Sequence, residues 1–415
     1  ERAPETPAYA AGPDQHFTKS RVSVTIPHMS TIVAVSNTPV TTWTAVLAQY
    51  WPIALVSLGV SLLATPLCRY VALRLGIVDR PDDFLKPHKS PIPYLGGVAI
   101  CLGWLAGIAA SFLAPDIEVR TRILSGVAAG GLAIMLIGLF DDLRVMRPTV
   151  KLACNIIVAC WLLYLGLGDK LVRAISEVFV AEEGLQERWL EAVYSVPFML
   201  LIVVGACNAS NLIDGLDGLC AGVLGIISLG FCVLAIHLRL YCDLEVENER
   251  IILSLAMLGA AAGFLPFNRN PAKIFLGDAG SMLLGLNAAV LILLFGEAQK
   301  VRWMIGALMV FGLPTADMCL TLARRWRNGR PLMQGDRSHF YDQLHDRGLS
   351  VRQVVAISYA LTLAFVLVGT SVIFLRTRYA ILVYGIAIAL VVAGVWKFDM
   401  VSIEGQRPKA DNSQE

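Results

Sequence analysis

Apolar residues run through this chain in long stretches, separated by short segments where charge, proline and amides collect. A helix needs about 20 apolar residues to cross a bilayer. Reading for such runs gives eleven candidates: Trp43–Val71, Tyr94–Leu113, Ile123–Phe140, Leu152–Gly166, Val193–Ala206, Leu219–Ile236, Ile251–Phe267, Ser281–Phe295, Trp303–Leu322, Val354–Phe374 and Ala380–Val395. The fourth, fifth and eighth are short or interrupted. The pattern therefore predicts an all-α polytopic membrane protein with about 10–11 transmembrane helices. Strands are not expected, because an isolated strand cannot satisfy its backbone in lipid.

Composition points the same way. The chain is 56% hydrophobic and 16% charged, against roughly 45–50% and 25% in soluble domains. No Lys/Arg block has the form of a nucleic-acid footprint, so nucleic acid is excluded as a partner. The cysteines form no CxxC pair and sit mostly in apolar runs, which predicts small apolar thiols and no zinc site. Residues 1–42 read as a disordered tail, with Met29 a candidate natural start, residues 43–397 as the polytopic domain, and 398–415 as a disordered cytoplasmic tail.

Loop charge sets the expected orientation. One side collects 18 Lys/Arg, from Arg69 to Lys397, against 11 on the other, from Arg120 to Arg378. That bias places the N-terminus outside and the C-terminus in the cytoplasm. Residues 73–93, 141–151, 207–218, 268–280 and 323–352 are all expected on the cytoplasmic face. Every cluster of acids, amides and histidines falls in those segments.

The first cluster is Gly138-Leu-Phe-Asp141-Asp142, two adjacent carboxylates ending the third run. A helix C-terminus disfavours acids, and the membrane edge adds a desolvation cost. Solvated loop acids are the plain alternative to a metal or proton-transfer site. Lys151, a few turns on, offers a charge to neutralise a phosphate or one of these carboxylates. The second cluster, Asn208-Ala-Ser-Asn211-Leu-Ile-Asp214-Gly215-Leu-Asp217-Gly218, packs two amides and two carboxylates between two runs. One Asp fits a turn; an oxygen-rich set of four suits Mg²⁺ sharing phosphate oxygens.

The third cluster runs Asn268-Arg-Asn-Pro271-Ala-Lys273-Ile-Phe275-Leu-Gly277-Asp278-Ala-Gly280-Ser281. Asp278 alone reads equally as the N-cap of the eighth run, and a helix N-terminus is also a phosphate site. The fourth is the basic loop Arg324 to Arg352, with Arg337-Ser-His339-Phe-Tyr341-Asp342 inside it. Positive-inside topology or lipid contact explains such a loop; a His beside Arg also suits a diphosphate. The fifth, Asp79 to Gly97, includes Lys86, His88 and Lys89 among several prolines, which make the loop stiff.

Together and in this order, these motifs resemble the polyprenyl-phosphate N-acetylhexosamine-1-phosphate transferases, across roughly residues 45–395. That family includes the phospho-MurNAc-pentapeptide transferase of peptidoglycan synthesis and the initiators of surface-polysaccharide synthesis. The resemblance implies a Mg²⁺-dependent (or Mn²⁺-dependent) transfer of sugar 1-phosphate from a UDP-N-acetylhexosamine to a polyprenyl phosphate. It implies catalytic roles for Asp141, Asp142, Lys151 and His339, with Asp141 as base or orienter of the lipid phosphate. It implies Asn211 and Asp278 as metal holders. Substrate contacts are implied for Asn208, Asp214, Asp217, Asn268, Phe275, Lys86 and Arg337, with uridine held by Asn268, Phe275 and Asp217. Two positions differ from the family pattern. Tyr341 and Asp342 stand where further histidines are usual, and Asn155 stands where Gln is usual. Tyr341 and Asp342 are accordingly expected either to lie close to the sugar or simply to face solvent or cap the next helix.

The Lys86 loop and Pro271-Ala-Lys273 resemble the surface-polysaccharide initiators more than the peptidoglycan enzyme, which stays the alternative. A multi-pass enzyme of the inner (plasma) membrane, with a possible homodimer, completes the expectation. A polytopic transporter is the rival class, but its ion sites belong near the bilayer midplane in broken helices. These acids sit at one edge.

Overall fold

The first helix shows how sequence becomes packing. Helix α1 (Trp43–Leu75) starts at Thr42, whose side chain accepts from the Ala45 N–H at 3.2 Å, and ends at Gly76 in the left-handed region (φ 69°). One face carries Ser57, Ser61 and Thr65, all fully buried. Ser61 donates to the Ala260 carbonyl at 2.8 Å. A Cβ at Gly103, Gly259 or Gly263 would lie within 2.7 Å of the α1 backbone. Small residues thus let three helix backbones approach closely, the packing that works where lipid supplies no hydrophobic drive between helices. The other face of α1 exposes Leu55, Leu63 and Leu67, as a lipid-facing surface does.

The computed structural model describes residues 42–79, 91–168, 188–242, 248–298, 301–331 and 339–401. The expected terminal tails, Lys86 and Arg337 lie outside the described residues or almost wholly so. After α1 come α2 (Gly96–Leu113), α3 (Thr121–Leu143), α4 (Pro148–Tyr164), α5 (Arg188–Leu212), α6 (Leu219–Tyr241), α7 (Glu249–Asn268) and α8 (Gly277–Gly296). Then follow α9 (Val301–Val310), α10 (Gly312–Arg327), α11 (Phe340–Asp346), α12 (Val351–Val372) and α13 (Thr377–Lys397).

Each of the eleven apolar runs forms a helix. Eight are long and apolar enough to cross a membrane, and α9 with α10 supplies a ninth as a bent pair. Helix α4 and the apolar part of α5 (Val196–Leu212) are shorter. The eighth run, read as short or interrupted, is neither; the break lies in the ninth. Helix α8 is continuous and wholly buried at the centre of the bundle, whereas α9 and α10 meet at 73°. Pro314 sits in the first turn of α10; it offers no N–H to the carbonyl four residues back and its ring crowds that carbonyl. Helix α13 is almost entirely exposed, so its apolar surface meets lipid.

One strand pair departs from the sequence expectation. Val78–Asp79 pairs antiparallel with Ile92–Pro93. It lies in a connection, where no span has to satisfy its backbone in lipid. The Phe275 N–H donates to the Pro93 carbonyl at 2.9 Å and the Gly96 N–H to the Phe275 carbonyl at 3.1 Å. The ladder thereby ties the connection after α1 to the start of α8.

Candidate active site

Helix α3 meets the N-terminus of α8 at Gly138. A Cβ there would lie 2.6 Å from Asp278 and Ala279 backbone atoms, and one at Gly97 would lie 2.2 Å from the Gly280 nitrogen. These glycines let α2 and α3 touch α8 backbone to backbone. The contact delivers the Asp142 carboxylate to the helix start, where Oδ1 accepts from the Asp278 N–H at 2.8 Å and Oδ2 from the Ala279 N–H at 3.1 Å. Asp142 thus caps the N-terminus of α8 from another helix, a service that Leu276 at the N-cap position has no side-chain acceptor to perform. Gly277, at φ 72°, leaves it room, since a Cβ there would stand 2.6 Å from Oδ2.

The capping role weighed for Asp278 is therefore filled by Asp142, and the Asp278 side chain is free to turn inward. It contacts the Lys151 ammonium and accepts from Asn211 Nδ2 at 2.6 Å. Lys151 also pairs with Asp141 Oδ2 at 2.9 Å and donates to Asn211 Oδ1 at 3.1 Å. Asp141 Oδ1 accepts from the Met146 N–H at 2.7 Å, closing the turn between α3 and α4. Asn211 reaches Ser281 as well. One ammonium thus stands among oxygens from α3, α5 and α8.

Asp214, in the turn between α5 and α6, has its carboxyl pushed well above the usual carboxylate range, first by burial and then by Asp278, Asp142 and Asp217. Five carboxyl groups (Asp141, Asp142, Asp214, Asp217 and Asp278) crowd one ammonium, and their mutual repulsion contributes to the raised Asp214 carboxyl. An arrangement of that kind calls for a further cation. Among the described residues no three His, Cys, Asp or Glu side chains are placed to hold a metal unaided. The donors present are carboxylate and carboxamide oxygens, which fit a hard cation that keeps waters and shares substrate phosphate oxygens.

The remaining expected residues divide. Asp217 Oδ2 accepts from Asn270 Nδ2 and the Ala272 N–H, at 2.9 and 3.0 Å. Asn268 is buried, accepting from the Gly218 N–H and donating to the Ile274 carbonyl, both at 3.0 Å. These two residues clip the 213–218 turn to the 269–276 loop, so both side chains shape the wall of the site. Phe275 packs its ring against Tyr94, centroids 5.9 Å apart. Asn208 turns its carboxamide back to the Val204 carbonyl at 2.7 Å. Asn155 is buried in α4.

His339 is buried, its Nδ1 2.8 Å from Asp317 Oδ2 and 3.2 Å from Thr321 Oγ1. Its ring lies parallel to Tyr341 at 5.3 Å. The Tyr341 hydroxyl donates to the Leu212 carbonyl at 2.8 Å, one residue after Asn211. Asp342 accepts from the His339 N–H at 3.2 Å in a capping box at the start of α11. Burial pushes its carboxyl up to about 6, with the His339 side chain working against that rise. Asp342 takes the helix-capping role weighed for it, whereas Tyr341 neither caps a helix nor faces solvent: it is buried and wedges α11 against the α5 end. Asp317 escaped the sequence reading because it lies inside an apolar run. The available signal was that position itself, since a lone acid at membrane depth is a functional candidate by default.

A family model described as glycosyl transferase family 4 matches residues 124–296. A probable undecaprenyl-phosphate N-acetylglucosaminyl 1-phosphate transferase of Bacillus subtilis is 32% identical over 315 residues, 75% of this chain and 81% of its own length. A decaprenyl-phosphate N-acetylglucosaminephosphotransferase of Mycobacterium tuberculosis is 33% identical over 368 residues, covering 83% and 87%. A phospho-N-acetylmuramoyl-pentapeptide-transferase of Orientia tsutsugamushi is more distant, 29% identical over 311 residues, covering 68% and 82%.

Proposed function

The chain belongs to glycosyl transferase family 4, and from that premise we propose that it is a multi-pass membrane enzyme transferring N-acetylglucosamine 1-phosphate from a UDP-sugar to a polyprenyl phosphate. The observation that carries this reading is the Lys151 ammonium held among Asp141, Asp278 and Asn211, against an α8 N-terminus capped by Asp142. It lies at one end of a bundle of apolar helices, where a lipid phosphate and a water-soluble donor meet.

The chemistry joins two anions. An oxygen of the lipid phosphate attacks the β-phosphorus of the donor, the bond from that phosphorus to the bridging oxygen breaks, and UMP leaves with the bond's electrons. The product is polyprenyl diphosphate bearing the sugar. Most of the catalysis is positioning and charge neutralisation, as in other phosphoryl transfers. Lys151 neutralises a phosphate as it leaves its carboxylate partners. Asp141, fixed by the Met146 N–H, orients the lipid phosphate and accepts its proton where that phosphate arrives protonated. Asp278 and Asn211 would hold Mg²⁺, which supplies Lewis-acid stabilisation of charge on the transferring phosphoryl oxygens. The α8 N-terminus adds its own partial positive charge. The site is read as facing the cytoplasm of an inner membrane, from the loop-charge bias.

The test is incubation of purified protein with polyprenyl phosphate and a panel of UDP-sugars, scoring UMP and lipid-linked sugar. UMP release only with UDP-N-acetylglucosamine and lipid together supports the reading. Absence of lipid-dependent UMP release with every donor overturns it.

A further inference from the structure

We propose that Asp317 is a positioning residue for this transfer: it holds the ring of His339 by its Nδ1–H, so that the opposite nitrogen, as an Nε2–H, is the donor presented to the diphosphate of the sugar nucleotide. The proposal rests on the transferase function and adds to it a residue that none of the sequence motifs contains.

Asp317 is 2% exposed, on the α10 arm that the break at Gly312 and Pro314 swings through 73°. A buried carboxylate in a membrane protein is costly unless its oxygens are occupied. Both are. Oδ2 meets His339 Nδ1 at 2.8 Å, and Oδ1 accepts from the Phe340 N–H at 3.0 Å. A carboxylate has no proton to give, so Nδ1 must be the donor, and the ring's second nitrogen remains for other work. Thr321, one turn further along α10, stands 3.2 Å from the same Nδ1.

The far side of the ring is held as well. It stacks on Tyr341, interplanar angle 7°, and a Cβ at Gly215 would stand 2.2 Å from the Tyr341 hydroxyl. Tyr341 bonds the Leu212 carbonyl, beside Asn211 and its partner Asp278. The imidazole is therefore fixed between α10 and the turn that lines the Lys151 cluster. Capping accounts for only one oxygen of Asp317: Oδ1 takes the Phe340 N–H, next to the His339 N–H that Asp342 takes, and Oδ2 is left for the ring. That second oxygen sets the ring's orientation, which is what a neighbouring acid does for a working histidine.

The experiment is a double-mutant cycle in purified full-length protein, read by UMP release with UDP-N-acetylglucosamine and polyprenyl phosphate. Asp317→Asn keeps the shape but turns an NH₂ or a single neutral acceptor toward the ring, which weakens the hold on its Nδ1–H. Asp317→Asn and His339→Gln should each lower kcat by about a hundredfold, the scale of losing a well-placed proton-bearing group, with KM for the donor changed less than about threefold. The double variant should be no slower than His339→Gln alone by more than about twofold, because one residue acts through the other. Losses that multiply, or an Asp317→Asn kcat within about threefold of wild type, overturn the proposal. If Asp317→Asn does not accumulate in membranes, Asp317→Glu, whose longer arm displaces the carboxylate from the ring, takes its place in the cycle: losses that do not multiply support the proposal, and losses that multiply overturn it. Wild-type protein without lipid-dependent UMP release refutes the parent function instead, so the two failures are distinct.

Discussion

Replacing Asp142 with Asn separates a structural carboxylate from a chemical one. Its two oxygens accept from the Asp278 and Ala279 N–H groups at 2.8 and 3.1 Å. Asn keeps one acceptor and points an NH₂ at the other donor, so one half-buried N–H loses its partner. Leaving such a donor unmatched costs about 1–3 kcal/mol, and loss of an N-cap is worth about 0.5–2 kcal/mol; both describe the same bond, so about 2 kcal/mol is the expected loss. With roughly 2 cal/mol/K of unfolding entropy per residue, that lowers Tm by about 3 °C for a helical bundle of this size. Turnover should fall with it, since Asp278 shares the first turn of α8 and loses its register against Lys151. Asp141→Asn is the control. It removes a Lys151 partner without touching the α8 cap, so kcat should fall by about a hundredfold while Tm holds within about 1 °C. The assay is thermal unfolding of the detergent-solubilised protein alongside UMP release. An Asp142→Asn variant with wild-type Tm and a hundredfold slower turnover would refute the capping argument.

Gly138→Ala should also lose activity and stability together, because its Cβ would lie 2.6 Å from the Asp278–Ala279 backbone, which cannot move aside as a flexible side chain can; UMP release and yield from membranes check this. Chelator treatment should abolish turnover, and Mg²⁺ or Mn²⁺ should restore it, since the available donors are oxygens; full turnover in excess chelator removes the metal from the mechanism. Asp342 has its carboxyl raised to about 6 in the fold. The folded state therefore holds that proton more tightly than the unfolded chain, and this group makes stability fall as pH rises from about 4 to about 6, after which its contribution is constant. Asp342→Asn should remove that fall, so its Tm relative to wild type should be higher at pH 8 than at pH 4.5; an unchanged difference refutes the assignment.

Much of this protein is written in one dimension. Lipid forces every spanning backbone to bond within its own helix, so a run such as Ile251–Phe267 has one outcome, and all eleven runs became helices. The acids and amides of the site were legible for a related reason: Asp141, Asn211 and Asp278 are conspicuous against an apolar background because each costs energy there. What the sequence could not assign was which carboxylate does what. Asp142 and Asp278 both stood as candidates, and only the close approach allowed by Gly138 and Gly277 makes Asp142 the cap and releases Asp278 to Lys151. Asn268 was legible as a site residue, and only the fold shows that its amide joins the two loops that wall the site.

Asp317 is the limiting case. It lies 22 residues before His339 in the chain and within 2.8 Å of it in space, because Pro314 breaks the ninth run and swings α10 inward. The composition of the chain determined that it would be a helical membrane protein with an acidic, lysine-centred edge. The pairing of charges within that edge depended on backbone separations of a few ångströms between helices far apart in sequence, and periodicity carries no such information.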